Sequence, residues 1–317
     1  MSAYPDVCII VLNWNNAAAT VSCLRSLQTI TYPAYEVVLV DNGSTDDSVQ
    51  VLSAAFPTVT LLQTGANLGY AGGNNAGIRY AVERGAQFIL ILNNDITVSP
   101  DFLEPLVEAL KGQPDVGVVT PLVAEQGKEE GRVWALGSAI EATTARVSRR
   151  HAGDSLERWL HEAPFEVDIA AGAAMLVRAE LFARTGLLDE DFFLYYEETD
   201  WSLRIRRAGY RILAVPASLV WHKVSATLGI DSPVIDYYML RNHFRLINRH
   251  WSGPARLYLW IRLAVRHLLA VAAFTVDSHG GLRTANRNAR LFAIRDAVLG
   301  RWGQMGPDVA IVCFSGR

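Results

Sequence analysis

Cysteine is nearly absent from this chain. Cys8, Cys23 and Cys313 are the three in 317 residues, and they form no pair-spaced motif. An odd count without pattern argues against a disulfide framework or a structural zinc site, and suits a reducing compartment. The N-terminus lacks a basic segment followed by an apolar one, so no signal peptide is expected. Internal repeats and low-complexity tracts are missing as well. Beyond residue 231 the longest uncharged stretch is too short to span a bilayer.

What is present is an ordinary folded composition: 50% hydrophobic and 19% charged residues, in a length that holds one large domain or two smaller ones. The net charge of -3 hides an asymmetry. Residues 1–222 carry 16 Lys/Arg against 27 Asp/Glu, a balance of -11, and residues 223–317 carry 13 against 5, a balance of +8. A basic tail behind an acidic body points to an anionic surface, membrane or nucleic acid. The competing reading is arginine that only decorates amphipathic helices.

Apolar runs at 7–12, 37–40, 59–62 and 88–92 alternate with helical spacing at 17–28, after 44–47 and after Gly72. Strand and helix in alternation predict a mostly parallel sheet wrapped by helices on both sides. Residues 124–166 are expected to form loops and short antiparallel strands. A small-residue strand at 170–177, a short helix at 180–185, an aromatic-acidic loop at 189–196 and a helix at 198–207 follow. Strands at 212–215 and 219–221 close this part, which sets one domain at 1–230 and a helical region at 231–317. In that region Arg256, Arg262, Arg266 and His267 share one side of a helical wheel, with Leu257, Trp260, Ile261, Leu263, Leu268 and Val271 filling most of the rest. Such a helix can lie in a membrane interface or pack on the catalytic domain.

The chemistry-bearing residues stand where strands end. In open α/β sheets ligands gather at the carboxyl ends of the strands. The run Leu90-Ile91-Leu92 passes abruptly into Asn93-Asn94-Asp95, and a carboxylate there can hold a divalent cation against a diphosphate. His222 ends another apolar run, Leu219-Val220-Trp221, and is the second candidate metal ligand; imidazole favours Mn²⁺ over Mg²⁺. Asp41 ends strand two, where a carboxylate can accept from a ribose hydroxyl or a base N–H, or cap a helix.

The segment 67–75, Asn-Leu-Gly-Tyr-Ala-Gly-Gly-Asn-Asn, enters a helix and is expected to touch ligand through Asn67, Gly69, Gly72 and Asn75. It is no P-loop and no dinucleotide fingerprint, because the lysine and the glycine spacing are missing. Residues 195–201 place Glu197, Glu198 and Asp200 at a helix start. Acids in a first turn stabilise a helix, and crowded carboxylates beside aromatic surface also suit a general base. Tyr196 and Trp201 are expected to stack on a sugar ring.

Together and in order, these motifs resemble the family-2 glycosyltransferases of GT-A fold, over most of residues 6–224. The resemblance is carried by Val11-Leu12-Asn13-Trp14-Asn15, by Val40-Asp41-Asn42-Gly43-Ser44-Thr45-Asp46, by the 67–74 segment, by Leu92-Asn93-Asn94-Asp95 and by residues 193–204. Its Asn-Asn-Asp and Tyr-Tyr-Glu-Glu-x-Asp motifs look like bacterial rhamnosyltransferase-like enzymes of polysaccharide assembly. The resemblance implies an inverting hexosyltransferase. Its donor is a nucleoside-diphosphate sugar such as dTDP-L-rhamnose, and its acceptor a saccharide or lipid-linked saccharide. Asn13, Asp41, Asn67, Gly69, Gly72, Asn75, Asn93, Asn94 and Asp95 would line the donor pocket. Glu198 would be the catalytic base, and Gly172, Glu197, Asp200 and Trp201 would face the acceptor. Asp95 matches the last residue of the family's Asp-x-Asp motif, and Asn93 replaces the first. Asp95 and His222 would hold the cation, Mg²⁺ or Mn²⁺. A cytoplasmic protein follows, peripheral on the inner face of the plasma membrane, with a homodimer allowed and no nucleic acid partner.

Two other functions fit the sequence less well. A sugar nucleotidyltransferase would want a basic loop after strand one, and residues 13–20 contain no Lys or Arg. A non-catalytic sugar-nucleotide-binding protein would not need the acids at Glu197, Glu198 and Asp200.

Overall fold

The structure, a computed structural model, describes residues 4–127, 131–223, 232–276 and 281–314. The chain divides into two units, one of residues 1–140, 147–188 and 198–226, the other of 141–146, 189–197 and 227–317. The boundary expected between residues 230 and 231 lies outside the described residues.

The first unit is built on a sheet. Its strands are β1 (Val7–Asn13), β2 (Tyr35–Asp41), β3 (Thr60–Gln63), β4 (Phe88–Asn93), β5 (Ile96–Val98), β6 (Val116–Glu125), β7 (Val133–Ala135), β8 (Ser138–Glu141), β9 (Arg146–Arg149), β10 (Phe165–Glu166), β11 (Ala174–Arg178) and β12 (Arg211–His222). The order is β10-β12-β6-β11-β4-β1-β2-β3, with β5 on β12, β7 on β6, and β8–β9 as a separate pair. The block β4-β1-β2-β3 is parallel, as is β6 with β12. β11 runs antiparallel between β4 and β6.

The central strands are continuous apolar runs because both their faces are covered. In β1, Val7, Ile9 and Val11 face one core with Cys23, Leu24 and Leu27 of α1 (Ala17–Leu27). Cys8 and Ile10 face the other, with Ala71, Ile78 and Ala81. α2 (Ser48–Ala55), α3 (Gly69–Glu83), α4 (Leu103–Lys111), α5 (Leu181–Thr185) and α6 (Glu197–Arg207) complete the alternation.

Three boundaries differ from the sequence reading. α3 starts at Gly69 and not after Gly72, so most of the glycine-rich segment is helix. The reason is packing: a Cβ at Gly73 would lie 2.5 Å from Leu12 Cδ1, and one at Gly77 2.6 Å from Ile10 Cγ2. The two strands expected at 212–215 and 219–221 are one, β12, with a register shift between Val215 and Leu219. The strand expected from residue 170 begins at Ala174.

The second unit is helical: α7 (Pro233–His250), α8 (Gly253–Val276), α9 (Gly281–Val298) and α10 (Pro307–Phe314). Its core joins Tyr237, Tyr238, Phe244 and Ile247 to Ala289, Ala293, Val309 and Cys313. Arg241 is fully buried there, with Tyr237 and Tyr238 under its guanidinium. It donates to the Tyr237 hydroxyl, which donates in turn to Asp296.

Much of the basic surplus is paired inside this unit. Arg245 bonds Asp189 and Asp191, Arg249 bonds Asp189, Arg290 bonds Asp236, and Arg295 bonds Asp296 and Asp308. α8 differs. By length and composition its stretch 253–274 could cross a membrane, and 11% of the apolar window is buried. The sequence reading counted uncharged runs only, and so set this stretch too short. Arg256, Arg262 and Arg266 lie within it, and each arginine at the centre of an inserted helix costs about 2.5–3.5 kcal/mol.

Candidate active site

The polar residues that end β1, β2 and β4 join in one hydrogen-bonded chain. Asn94 donates to Thr20 Oγ1 at 2.9 Å, and Thr20 donates to Asn13 Oδ1 at 2.7 Å. Asn13 Nδ2 donates to Asp41 Oδ1 at 3.0 Å and to Ser44 Oγ at 3.1 Å. The Ser44 hydroxyl and backbone N–H both return to the Asp41 carboxylate. Three expected residues, Asn13, Asp41 and Asn94, are thus brought together. Thr20 and Ser44, which link them, were not singled out. Asp41 is buried and receives three donors, so its first task is to fix the loop after β2. Gly43 turns that loop at φ +69°, where a Cβ would meet the Ala66 backbone at 2.4 Å.

A second set holds the entry to α3. Asn42 donates to Asn67 Oδ1 and Gly69 O and accepts from the Leu68 N–H. Asn67 Oδ1 also accepts from the Gly69 N–H, so both expected residues shape this turn. Asn75 corrects the sequence reading. Its amide donates to Leu188 O and accepts from Leu188 N–H at 2.9 and 3.1 Å, and it is 1% exposed. It ties α3 to residue 188 and has no face left for a donor sugar. Gly72 sits buried within the helix, and Gly73 and Gly77 seat that helix closely on β1.

Asp95 and His222 meet. β12 pairs antiparallel with β5, setting His222 opposite Ile96. His222 Nε2 and Asp95 Oδ1 stand 3.3 Å apart, both side chains largely buried. Trp134 lies edge-on to the imidazole at 4.5 Å. Asp95 Oδ1, His222 Nδ1 and Asn93 Oδ1 are buried without a hydrogen-bond partner. Burying such atoms unpaired is costly, so the set fits an electropositive ligand. Adjacent ligands of an octahedral cation with bonds of about 2.1 Å stand about 3 Å apart, close to the spacing of this pair. Among the described residues no group of three or more His, Cys, Asp and Glu could hold a metal by itself. Oxygens from a bound diphosphate would have to complete the shell. The field of Asp95 adds to burial in pushing the Cys23 thiol well above its usual range.

Glu198 lies against Gly172, where a Cβ would stand 3.1 Å from Glu198 Cγ. Gly172 O accepts from the Tyr70 hydroxyl at 2.6 Å. The next residue, Ala173, accepts from the Asn93 N–H at 2.9 Å. Glu198 is thereby attached to the edge of the sheet that carries Asn93 and Asp95. Tyr70, within the 67–75 segment, gives no sign in the sequence of this bond.

Trp201 overturns a sequence expectation. It is fully buried, stacks on Phe182 at 4.8 Å, and donates to Thr185 Oγ1 and Gly186 O. Its ring faces the core and cannot lie against an acceptor sugar. Asp200 is equally buried and pairs with Arg204 at 2.8 Å, so it braces α6 and does not reach an acceptor. Glu197 is buried and groups with the second unit.

The sheet order, with these polar residues at the carboxyl ends of its strands, is that of an α/β fold whose candidate site lies along that edge. The family model described as "Glycosyl transferase family 2" matches residues 8–184, and the chain belongs to that family. It is an inverting glycosyltransferase using a nucleotide sugar. It is 28% identical over 270 residues to an N-acetylglucosaminyl-diphospho-decaprenol L-rhamnosyltransferase of Mycobacterium tuberculosis, covering 78% of this chain and 87% of that one. It is 24% identical to the dTDP-rhamnosyl transferase RfbF of Shigella flexneri, covering 68% and 71%. Among solved structures, a mannosyltransferase from Pyrobaculum calidifontis in complex with GDP-Man and Mn²⁺ matches with a TM-score of 0.58 at 18% identity, covering 95% and 89%. GalNAc-T7 with UDP, GalNAc and Mn²⁺ matches with a TM-score of 0.63 at 18% identity; 82% of this chain spans half of that one. The structural likeness establishes the fold.

Proposed function

We propose that the protein transfers L-rhamnose from a deoxythymidine-diphosphate donor to a hydroxyl of a lipid-linked saccharide, in cell-surface polysaccharide synthesis. The names of the two rhamnosyltransferase relatives support the donor, and the diphospho-decaprenol in one of them supports the acceptor class. The observation that carries the chemistry is the shared edge: Asp95 and His222 with their unsatisfied atoms, and Glu198 joined to it through Gly172 and the bond from Asn93 N–H to Ala173 O.

Glu198 takes the proton of the acceptor hydroxyl. The oxygen attacks the anomeric carbon from the face opposite the nucleotide, forming the new glycosidic bond as the bond to the diphosphate breaks. Configuration inverts, and the nucleoside diphosphate leaves. Asp95 and His222 would hold a divalent cation, whose charge would offset that of the departing diphosphate. The network of Asn13, Thr20, Asp41 and Asn94 keeps the strand ends rigid around the donor, so that positioning dominates over covalent chemistry.

The test is nucleoside diphosphate release from a panel of sugar nucleotides, with a lipid-linked saccharide acceptor. Glu198→Gln should lower turnover by about 100- to 10,000-fold, the usual reach of a general base, and leave donor binding near normal. Wild-type turnover in that variant would show the proton acceptor to be another group.

A further inference from the structure

Arg245, Arg249, Arg290, Arg295 and Arg301 of the second unit each have a carboxylate partner, and three arginines gathered at one cavity do not, among the described residues. The tip of the β8–β9 hairpin, α7 and α8 enclose a cavity of about 110 Å³ lined by Glu141, Arg146, His243, Leu259, Arg262 and Arg266, among others. A single water needs only about 10–15 Å³, so a phosphate-sized anion has room. Glu141 accepts from the hydroxyls of Thr144 and Thr143, which hold its carboxyl below the usual range with help from the charges of Arg262 and Arg146, though neither arginine reaches ion-pair distance. Three arginines against one carboxylate leave a surplus of two positive charges. The surplus is felt by His243: burial, together with Arg266 and Arg262, pushes its imidazole down to about 4, so it adds no charge of its own near neutrality.

The same helix carries an apolar face with nothing on it. Leu257, Tyr258, Ile261, Val265, Leu268 and Leu269 are 47–67% exposed. Tyr258 lies one turn before Arg262 and Leu269 two turns after it, so this face adjoins the cavity side of α8. Arginine beside apolar surface on one helix suits a ligand with an anionic head and an apolar chain.

We infer that α8 and the hairpin tip bind the diphosphate and the first part of the chain of a polyprenyl-diphosphate-linked acceptor. Arg146, Arg262 and Arg266 take the diphosphate, and the exposed face of α8 takes the chain and the bilayer surface around it. This rests on the lipid-linked acceptor proposed above. It names the place on this chain where that acceptor's diphosphate is read.

The experiment is vesicle flotation of the full-length protein without donor. Neutral phosphatidylcholine vesicles would carry a long-chain polyprenyl diphosphate, the uncharged polyprenol, or phosphatidylglycerol at matched charge. Wild type should bind the diphosphate vesicles most tightly, and Arg262→Gln/Arg266→Gln should weaken that binding by about tenfold or more. Ile261→Ser/Leu268→Ser should weaken binding to all three alike. Arg146→Gln, outside the helix, gives an independent reading if the double variant is unstable, and should weaken diphosphate binding alone. Equal binding to diphosphate and polyprenol vesicles overturns the proposal. Equal binding to phosphatidylglycerol reduces the site to general attraction for anionic membranes and also overturns it. Soluble pyrophosphate competing as strongly as the lipid would assign the cavity to a free anion instead. Nucleoside diphosphate release on a water-soluble acceptor reports on the transfer reaction separately, so the two proposals can fail independently.

Discussion

In the sheet unit, the polar side chains at the strand ends are occupied with one another. Asn13 holds Asp41, Thr20 holds Asn13, and Asn42 holds the turn into α3. The unsatisfied atoms of Asn93, Asp95 and His222 differ from the unit's other buried unpaired atoms, such as Ser48 Oγ, Asn74 Oδ1 and Glu104 Oε2, in belonging to one cluster at the strand ends. The helical unit has the same logic in another chemistry. Arg245, Arg249, Arg290 and Arg295 are matched by Asp189, Asp191, Asp236, Asp296 and Asp308, and buried Arg241 by Asn242 and Tyr237, while the arginines around the α8 cavity have no such match among the described residues. In both units the bonded polar groups named here are part of the framework, and the two clusters left unmatched are the places proposed above for ligands. Residue type alone does not separate the two: Asn75 within α3 and Asn93 at the end of β4 are both asparagines, and only Asn93 has a side-chain oxygen buried without a partner.

The sharpest way to break the comparison is to remove the unsatisfied atoms. Asp95→Ala should cost about 100-fold or more in turnover, since it removes the proposed cation ligand and not a stabilising bond. His222→Ala should cost about 10- to 100-fold and raise the cation concentration needed for half activity. Chelation with EDTA should abolish wild-type activity and Mn²⁺ should restore it. If both variants keep full activity in EDTA, the pair is an ordinary buried contact.

The helical unit should answer to acid. His243 normally titrates near 6.5, and its imidazole is pushed down to about 4 in the fold, by burial first and then by Arg266 and Arg262. The unfolded chain therefore binds the proton more tightly. Stability is complete above about pH 6.5, declines as pH falls toward 4, and levels off below that, by about 3 kcal/mol at most. His243→Gln should flatten that part of the profile in thermal melts. An unchanged profile would mean that other groups govern the acid response.

Asn75→Ala tests the framework half of the comparison. It leaves both backbone groups of Leu188 without their partner, so unfolding free energy should drop by about 1–3 kcal/mol. The donor KM should stay within about twofold, because the variant removes a tie and not a ligand contact. A tenfold rise in donor KM without loss of stability would restore Asn75 to the donor pocket.

How far the sequence could be read follows from the same division. The runs at 7–12, 37–40 and 88–92 were legible as strands because burial on both faces leaves no polar positions in them. The meeting of Asp95 with His222 was legible because each ends an apolar run. The role of Thr20 was not, since a threonine early in a helix gives no sign of which strand end it bonds. Nor could asparagine or glycine in 67–75 announce whether it faces ligand or the neighbouring strand. That depends on Leu12, which meets Gly73, and on Leu188, which meets Asn75, both distant in sequence.

Trp201 gives the smallest effect and the cleanest contrast with that reading. Its position was a hint: Trp201 and Ile205 stand four apart, one apolar face of α6, and both are fully buried. Trp201→Phe keeps a ring to stack on Phe182 but loses the N–H that Thr185 and Gly186 accept. Unfolding free energy should fall by about 1 kcal/mol, the net value of a typical hydrogen bond. Acceptor KM should not move, because the indole meets protein on both faces. If acceptor KM rises severalfold while the melting temperature holds, the ring reaches the acceptor after all, and the rule that satisfied groups belong to the framework fails at this residue.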